Sequence, residues 1–180
     1  MTTIAVASPV NKTITLSALA DGNYSTCTIQ VADAAGNTSN IQNLGTFTVD
    51  ATPPVATLSS SSGALVNSPF TVVTNFSENV LGFTGGDIML SNATLSNFTA
   101  SGAQYRFLVT PTLDGLVTVS IGTGAAADPA TNPSNAVSLS RTADMTAPVI
   151  AEILGVPSLT NNTIPNYVFN SSETGTISYS

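Results

Sequence analysis

This 180-residue chain repeats four short motifs in the same order at a spacing of 93 to 95 residues. The matching pairs are Asp50–Val55 with Asp144–Val149, Ala20–Gly22 with Leu113–Gly115, Asp33–Asn37 with Asp128–Asn132, and Phe76–Glu78 with Ser171–Glu173. Self-similarity at a fixed period indicates tandem structural units. A period of this length is enough for one small domain with its own core. The repeat therefore predicts tandem domains and argues against one large core.

The phase of the repeat follows from a linker motif, Asp-x-Thr-x-Pro, which begins at Asp50 and again at Asp144. Proline fixes its own φ angle and favours an extended conformation in the preceding residue, as is typical of a linker. The motif predicts the C-terminal half of one domain (1–50), a complete domain (51–147, hereafter the central domain) and the N-terminal part of a further domain (148–180).

Hydrophobic residues alternate with polar ones along most of the chain, which is the pattern of half-buried strands. In the central domain the alternating runs are Val55–Ser59, Phe70–Phe76, Ile88–Leu90, Thr94–Phe98, Tyr105–Val109, Val117–Ile121 and Val137–Leu139. Turn residues such as Gly85-Gly86 and Asp114-Gly115 separate them. Short strands with a turn every 8 to 12 residues or so predict an all-β sandwich with almost no helix.

The two flanking parts carry different strands. The runs in 1–50 are Ile14–Leu16, Cys27–Val31 and Phe47–Val49, which correspond to late strands of the central domain; those in 148–180 are Val149–Leu154, Tyr167–Phe169 and Ile177–Tyr179, which correspond to early ones. Two interpretations stay open. Either the chain is an excerpt of a longer protein, or one copy completes the next by head-to-tail strand complementation. If neither holds, residues 1–50 of an isolated copy are expected to fray, because proteins avoid unpaired strand edges.

Composition excludes several classes of function. Only 7% of the residues are charged, the net charge is −7, and the basic residues are three: Lys12, Arg106 and Arg141. Such a chain cannot neutralise a phosphate backbone, so we expect no nucleic-acid partner. The absence of His and the single Cys exclude the usual zinc sites, His-based catalytic triads and iron–sulfur ligation. No apolar stretch approaches the 20 or so residues of a membrane span, so no membrane insertion is expected in this segment.

Several motifs carry a family resemblance. They include Pro69–Val72, Phe76–Val80, Asp87-Ile88, Val109–Pro111 and Asp114-Gly115. The central domain resembles the tandem bacterial immunoglobulin-like (Big-type) repeats of large secreted adhesins and surface fibre proteins, and the flanks resemble a second repeat type from similar proteins. The resemblance implies immunoglobulin-like sandwiches with antiparallel Greek-key strands, an extracellular or cell-surface location and a structural role.

Cys27 alternates in phase with Ile29 and Val31, so we expect it to face the core. The resemblance implies that Cys27 is half of a disulfide whose partner lies outside this chain, just past Ser180. A free buried thiol is the alternative. Tyr24, which follows an Asp-Gly pair, resembles a tyrosine corner, in which the hydroxyl bonds to nearby backbone.

The acidic residues gather at particular phases of the repeat. In an immunoglobulin-like topology four of them converge on the first junction and three on the second; these are Asp21, Asp50, Glu78 and Asp128, and then Asp114, Asp144 and Glu173. Clusters of oxygen ligands suit Ca²⁺, and a bound ion would stiffen the linker. The alternative is that these residues serve turn chemistry, with Asp accepting hydrogen bonds from nearby backbone. The dense Asp-x-Asp-x-Asp arrays of strong calcium loops are absent.

These observations predict a structural repeat unit of a bacterial extracellular fibre or adhesin stalk, whose partners are copies of itself or adjacent repeats of the same long protein. A cell-surface module that binds a ligand or carbohydrate is the alternative, but the chain has no Trp to stack on sugars and its other aromatic side chains mostly fall at inward phases. Glu78 and Asp128 could in principle form the acid pair of a glycosidase, but the recurrence of such acids favours a role in every repeat over one active site. Because such acids recur at each repeat, we expect no enzyme.

Overall fold

The structure is a computed structural model that describes residues 11–179. In this range the chain is built almost entirely from short strands, and its one helical element is the 3-10 turn Gly85–Asp87. The strands are β1 (Gly22–Tyr24), β2 (Thr28–Ile29), β3 (Gln42–Asn43), β4 (Phe47–Val49), β5 (Ala56–Ser59), β6 (Leu65–Val66), β7 (Phe70–Phe76), β8 (Ile88–Ser91), β9 (Ala93–Ser101), β10 (Gln104–Pro111), β11 (Gly115–Ile121), β12 (Val137–Ala143), β13 (Ile150–Leu154) and β14 (Val168–Ser171).

The central domain is a sandwich of two four-stranded sheets. One sheet has the order β5-β7-β10-β9 and the other the order β6-β12-β11-β8. All pairings are antiparallel except that of β6 with β12. The predicted all-β class and sandwich are confirmed. β6 was not predicted, because a two-residue strand is too short to show alternation.

The core lies between the two sheets and is filled by the residues that alternation placed inward. The least exposed of them, at 0 to 1% each, are Val72, Phe107, Val109, Val117, Val119 and Ile121. Aromatic rings close one part of the core. Tyr105 packs edge-on against Phe76 and Phe83, with ring centroids 5.8 and 4.9 Å apart. Every second residue of the inner strands points into the space between the two sheets, and these side chains together form one core.

The flanking segments form small two-stranded sheets. β1 pairs with β4, β2 with β3, and β13 with β14, all antiparallel. The strands predicted at 14–16 and 177–179 are wrong for this structure, since both stretches lack regular secondary structure. In the central domain the strand that corresponds to 14–16 is β10, which lies between β7 and β9. Among the described residues, 14–16 have no such neighbours, and a strand without a partner leaves its backbone groups unpaired.

No helix in the described part of the chain is long and apolar enough to cross a lipid bilayer.

Candidate functional site at the domain junctions

The first linker is held by the side chain of Asp21, which lies just before β1. Its carboxylate accepts a hydrogen bond from the Ala51 backbone amide at 2.8 Å and another from the Thr52 hydroxyl. These two bonds, from Thr52 first and Ala51 second, lower the pKa of Asp21. Ionised acceptors make the stronger class of hydrogen bond. The side chain therefore ties the linker to the segment that precedes it.

The second linker is held in the same way by Asp114, which lies just before β11. Its carboxylate accepts from the Met145 backbone amide at 2.6 Å and from the Thr146 hydroxyl. The same two bonds, again with the hydroxyl as the larger cause, lower the pKa of Asp114. We call each arrangement of one aspartate, one amide and one threonine hydroxyl an aspartate clamp. The repeat of the Asp-Gly and Asp-x-Thr motifs thus repeats a contact.

Three other acids meet beside the first linker. Asp50, Glu78 and Asp128 each present a carboxylate oxygen, and these oxygens lie within 4.8 Å of one another. Asp128 is 1% exposed, whereas Asp50 and Glu78 are half-buried. Burial, together with the negative charges of Asp50 and Asp128, raises the pKa of Glu78. The group is thus a site of charge repulsion at neutral pH.

Asp128 is held in place by the loop between β11 and β12. Its two carboxylate oxygens accept hydrogen bonds from the backbone amide and the side-chain amide of Asn132, both at 2.8 Å. Burial alone would raise the pKa of Asp128, but these bonds from Asn132, together with backbone bonds from Ala130 and Thr131, outweigh it and lower the pKa. The Asn132 side chain also donates to the Asp50 backbone carbonyl at 2.9 Å. Asn132 therefore connects the acidic group to the linker.

The structure brings together only part of the predicted acid set. Asp50, Glu78 and Asp128 form one group. Asp21 lies at the same junction, but its carboxylate is hydrogen-bonded to the linker. Within residues 11–179 no group of three acids includes Asp114, Asp144 or Glu173. Asp114 forms the second clamp, the Asp144 amide bonds to the Val66 carbonyl, and the Glu173 amide bonds to the Ser171 hydroxyl.

The acidic group passes a geometric test for calcium. Oxygens that bind one Ca²⁺ at about 2.4 Å lie at most about 4.8 Å apart. The three carboxylate oxygens meet that limit. A calcium site at this junction, with Asp50, Glu78 and Asp128 as ligands, stays a prediction.

Tyr24 and Cys27 lie in the first flanking segment. The Tyr24 hydroxyl donates to the Ala20 carbonyl at 2.8 Å, so the tyrosine corner is confirmed. The ring also stacks on Phe47, with centroids 5.3 Å apart. Cys27 is half-buried and free. Its disulfide with a partner outside this chain stays a prediction.

Two asparagines that join parts of the fold were not predicted from the sequence. Asn132 bonds to the linker as described, and the Asn135 side chain accepts from the Ala56 amide at 2.6 Å and donates to the Ala56 carbonyl at 3.3 Å. A signal was available, because both asparagines recur 95 residues earlier, as Asn37 and Asn40.

Comparison with known proteins gives one match. The family model described as a bacterial Ig-like domain matches residues 50–145, which is more than half of the chain. No curated protein and no solved structure matches the chain.

Proposed function

We propose that this chain, which belongs to the bacterial Ig-like domain family, is a structural repeat unit of an extracellular bacterial fibre or adhesin stalk. One observation carries the proposal: the same aspartate clamp holds both linkers, through Asp21 at the first and Asp114 at the second. Bacterial Ig-like domains are often surface-exposed and typically non-enzymatic. Both properties support a structural role outside the cell.

A stalk must keep its domains at fixed angles, and the clamps supply that property. Each clamp bonds to two consecutive linker residues, so the linker cannot rotate freely about its φ and ψ angles. A proline follows within two residues of each threonine, at Pro53 and Pro148, and restricts the chain further. Flexible linkers are instead rich in Gly and Ser without such contacts. The linkers are therefore built to transmit orientation from one domain to the next.

The clamps make the proposal testable in solution. Small-angle X-ray scattering of the purified chain should give one extended shape. The Asp21→Asn, Asp114→Asn double variant should give a broader distribution of shapes, because an amide nitrogen cannot accept the second bond. The control is Glu152→Gln, which also removes a carboxylate charge but at a position that bonds to neither linker. Equal distributions for all three proteins would refute the stiffness argument.

Location is tested separately. Antibodies raised against the central domain should label intact bacteria that produce the protein, and protease added to intact cells should remove the label. Labelling that requires lysis of the cells would overturn the extracellular part of the proposal.

We also propose that calcium binds the acidic group at the first junction. Support comes from the three oxygens within 4.8 Å of one another and from the raised pKa of Glu78, which reflects repulsion that a cation would relieve. Calcium should raise the Tm of the chain, and magnesium should do so less, because Mg²⁺ demands a tighter octahedral site. Glu78→Gln should reduce the calcium effect, whereas Glu152→Gln should leave it unchanged. An identical Tm with calcium and with chelator would refute the site.

A further inference from the structure

Several hydrogen bonds of the first flanking segment, between Asp21 and Val49, recur in the late half of the central domain. In the loop at Asp33, the carboxylate accepts from the Asn37 backbone amide and from its side-chain amide, at 2.8 Å each. Asp128 and Asn132 make the same two bonds. Two residues further on, the Ser39 amide bonds to the Val31 carbonyl as the Ser134 amide bonds to the Ala126 carbonyl. The first flanking segment thus reproduces these contacts of the late half of the central domain.

Residues 148–179 repeat the pairing of the first long strands of the central domain, β5 and β7. The Val149 amide donates to the Ser172 hydroxyl at 2.8 Å, and the Ser172 amide donates to the Val149 carbonyl at 2.9 Å. Val55 and Ser77 exchange the same two bonds, at 2.9 Å each. The register also agrees at the start of the pairing, since Ile150 faces Ser171 as Ala56 faces Phe76, and it shifts by one residue only between Glu152 and Leu154.

In the central domain these two halves are joined by side chains of the late half. Asn135 bonds to the backbone of Ala56, and Asn132 bonds to the carbonyl of Asp50. Their counterparts Asn40 and Asn37 are present, but within residues 11–179 the Asn40 side chain makes no hydrogen bond and Asn37 bonds only within its own loop. The flanking segment carries the joining groups without the partner.

The second flanking segment, residues 148–179, also lacks a partner for its apolar side chains. Ile150 is 64% exposed and Tyr167 is 51% exposed. By the same correspondence they occupy the places of Ala56 and Val72, which are 2% and 0% exposed. Side chains that fill a core in one repeat are therefore left against solvent in the other.

We infer that residues 148–179 of one copy and residues 11–49 of a second copy form one immunoglobulin-like domain, so that copies join head to tail. This inference rests on the proposed function and names the partner, a second copy of this chain. Contacts that join the halves of the central domain would then recur between copies. Asn40 of one copy bonds to the Ile150 backbone of the other, Asn37 bonds to the Asp144 carbonyl, and Asp33 completes an acidic group with Asp144 and Glu173.

The two segments belong to different copies because they leave the central domain at opposite ends. The first linker bonds to Asn132, in the loop after β11, whereas the second bonds to Asp114, just before β11. Seven residues separate those ends along β11, and at about 3.3 Å per residue this is about 23 Å. Asn132 holds the first linker and Asp114 holds the second, so the two segments start from opposite ends of the central domain.

The joined domain also gives residues 11–16 a strand partner, which they do not have among residues 11–179 of their own copy. In the central domain Phe107 faces Val72 and Arg106 faces Val73. Ile14 lies 93 residues before Phe107, and Tyr167 lies 95 residues after Val72, so the repeat places Ile14 opposite Tyr167. The same offsets from Arg106 and Val73 place Thr13 opposite Val168. Thr13 and Val168 lie on the outer face, because Arg106 and Val73 do. Cysteines at these two positions would not disturb the core.

Cysteine cross-linking of the full chain tests the register. In a Cys27→Ser background, Thr13→Cys with Val168→Cys should oxidise to a ladder of multiples of 18.2 kDa on a non-reducing gel, since facing Cα atoms in antiparallel strands lie within disulfide range. Lys12→Cys with Val168→Cys is the matched control. Its side chains point to opposite faces, so it should not form the ladder. A ladder from the control alone, or from neither protein, would overturn the inference.

Sedimentation velocity tests the association without cysteines. The wild-type chain should form larger species as its concentration rises. Asn40→Asp removes the donor and adds a charge where the Ile150 carbonyl is expected, so it should weaken association about tenfold or more. Asn23→Asp adds the same charge on an exposed position of β1 and should leave association unchanged. A wild-type chain that stays monomeric with a folded central domain would refute the joining of copies, yet it would leave the stalk proposal standing.

Discussion

Replacing Asn135 with alanine tests how much the two sheets depend on one side chain. β5 is an edge strand of its sheet, and the Ser77 amide bonds to the Val55 carbonyl. By antiparallel alternation, the amide and carbonyl of Ala56 therefore point away from β7. Asn135 pairs both of them, at 2.6 and 3.3 Å. The variant Asn135→Ala leaves a strand edge unpaired.

The expected loss follows from those two bonds. At about 1 kcal/mol for each, Asn135→Ala should lower the free energy of unfolding by about 2 kcal/mol. For a domain of this size, with a fall of about 4 to 8 °C per kcal/mol, this corresponds to a drop in Tm of about 8 to 16 °C. Circular dichroism during heating measures the Tm, and urea titration measures the free energy with its m-value. Asn67→Ala, at an exposed position of the same domain, is the control and should shift the Tm little.

A second variant separates the loss of hydrogen bonds from the loss of side-chain volume. Asn135→Asp keeps the acceptor for the Ala56 amide but places a carboxylate oxygen against the Ala56 carbonyl. A carboxyl group that is protonated more easily in the folded state stabilises that state as the pH falls. The gap in Tm between Asn135→Asp and wild type should therefore narrow as the pH falls towards about 4, because the protonated carboxyl can donate to the Ala56 carbonyl. A Tm within about 3 °C of wild type for Asn135→Ala, with an unchanged m-value, would refute this account of the edge.

Three further outcomes follow from the structure. Thr74 is 0% exposed and its hydroxyl has no partner among the described residues, so Thr74→Val should raise stability by about 1 kcal/mol in urea titration; a loss would show that the hydroxyl is paired. Because the pKa of Asp114 is lowered, its contribution is present above its ordinary pKa and is lost as the pH falls through the lowered one. The Tm gap between wild type and Asp114→Asn should therefore close in acid, and a gap independent of pH would contradict this. The pKa of Glu78 is raised, so without calcium Glu78→Gln should raise the Tm at pH 7, by an amount that shrinks as Glu78 protonates in wild type. A lower Tm for that variant at pH 7 would contradict the repulsion.

Alternation predicted the core strands because inward and outward positions differ in burial along β7, β10 and β11. It underestimated β9, which extends to Ser101 past a register shift, because its exposed face carries no apolar signal. It also placed a strand at 14–16, where the residues have the pattern but not the neighbours. Local pattern fixes which face a strand would bury, while the existence of a strand depends on a partner.

The junction was predicted in place but not in detail. An Asp-Gly pair indicates a turn, and Gly115, with φ of 117°, does supply the backbone angle that such a turn needs. Nothing local shows that the aspartate of that turn reaches a linker about 30 residues away, as Asp21 reaches Thr52. The clamp became visible only when the strands brought the two ends together. The repeat of both motifs at one offset was the signal that joined them.

The recurrence of one clamp at two successive linkers has a consequence for overall form. If the same contact fixes every step from one domain to the next, each domain is related to its neighbour by nearly the same rotation and translation. Repetition of a single rigid step that does not close on itself generates a helix. A polymer of this chain would then be a helical filament with constant pitch. The angle between neighbouring domains, set by an aspartate, an amide and a threonine hydroxyl, would determine that pitch over its whole length.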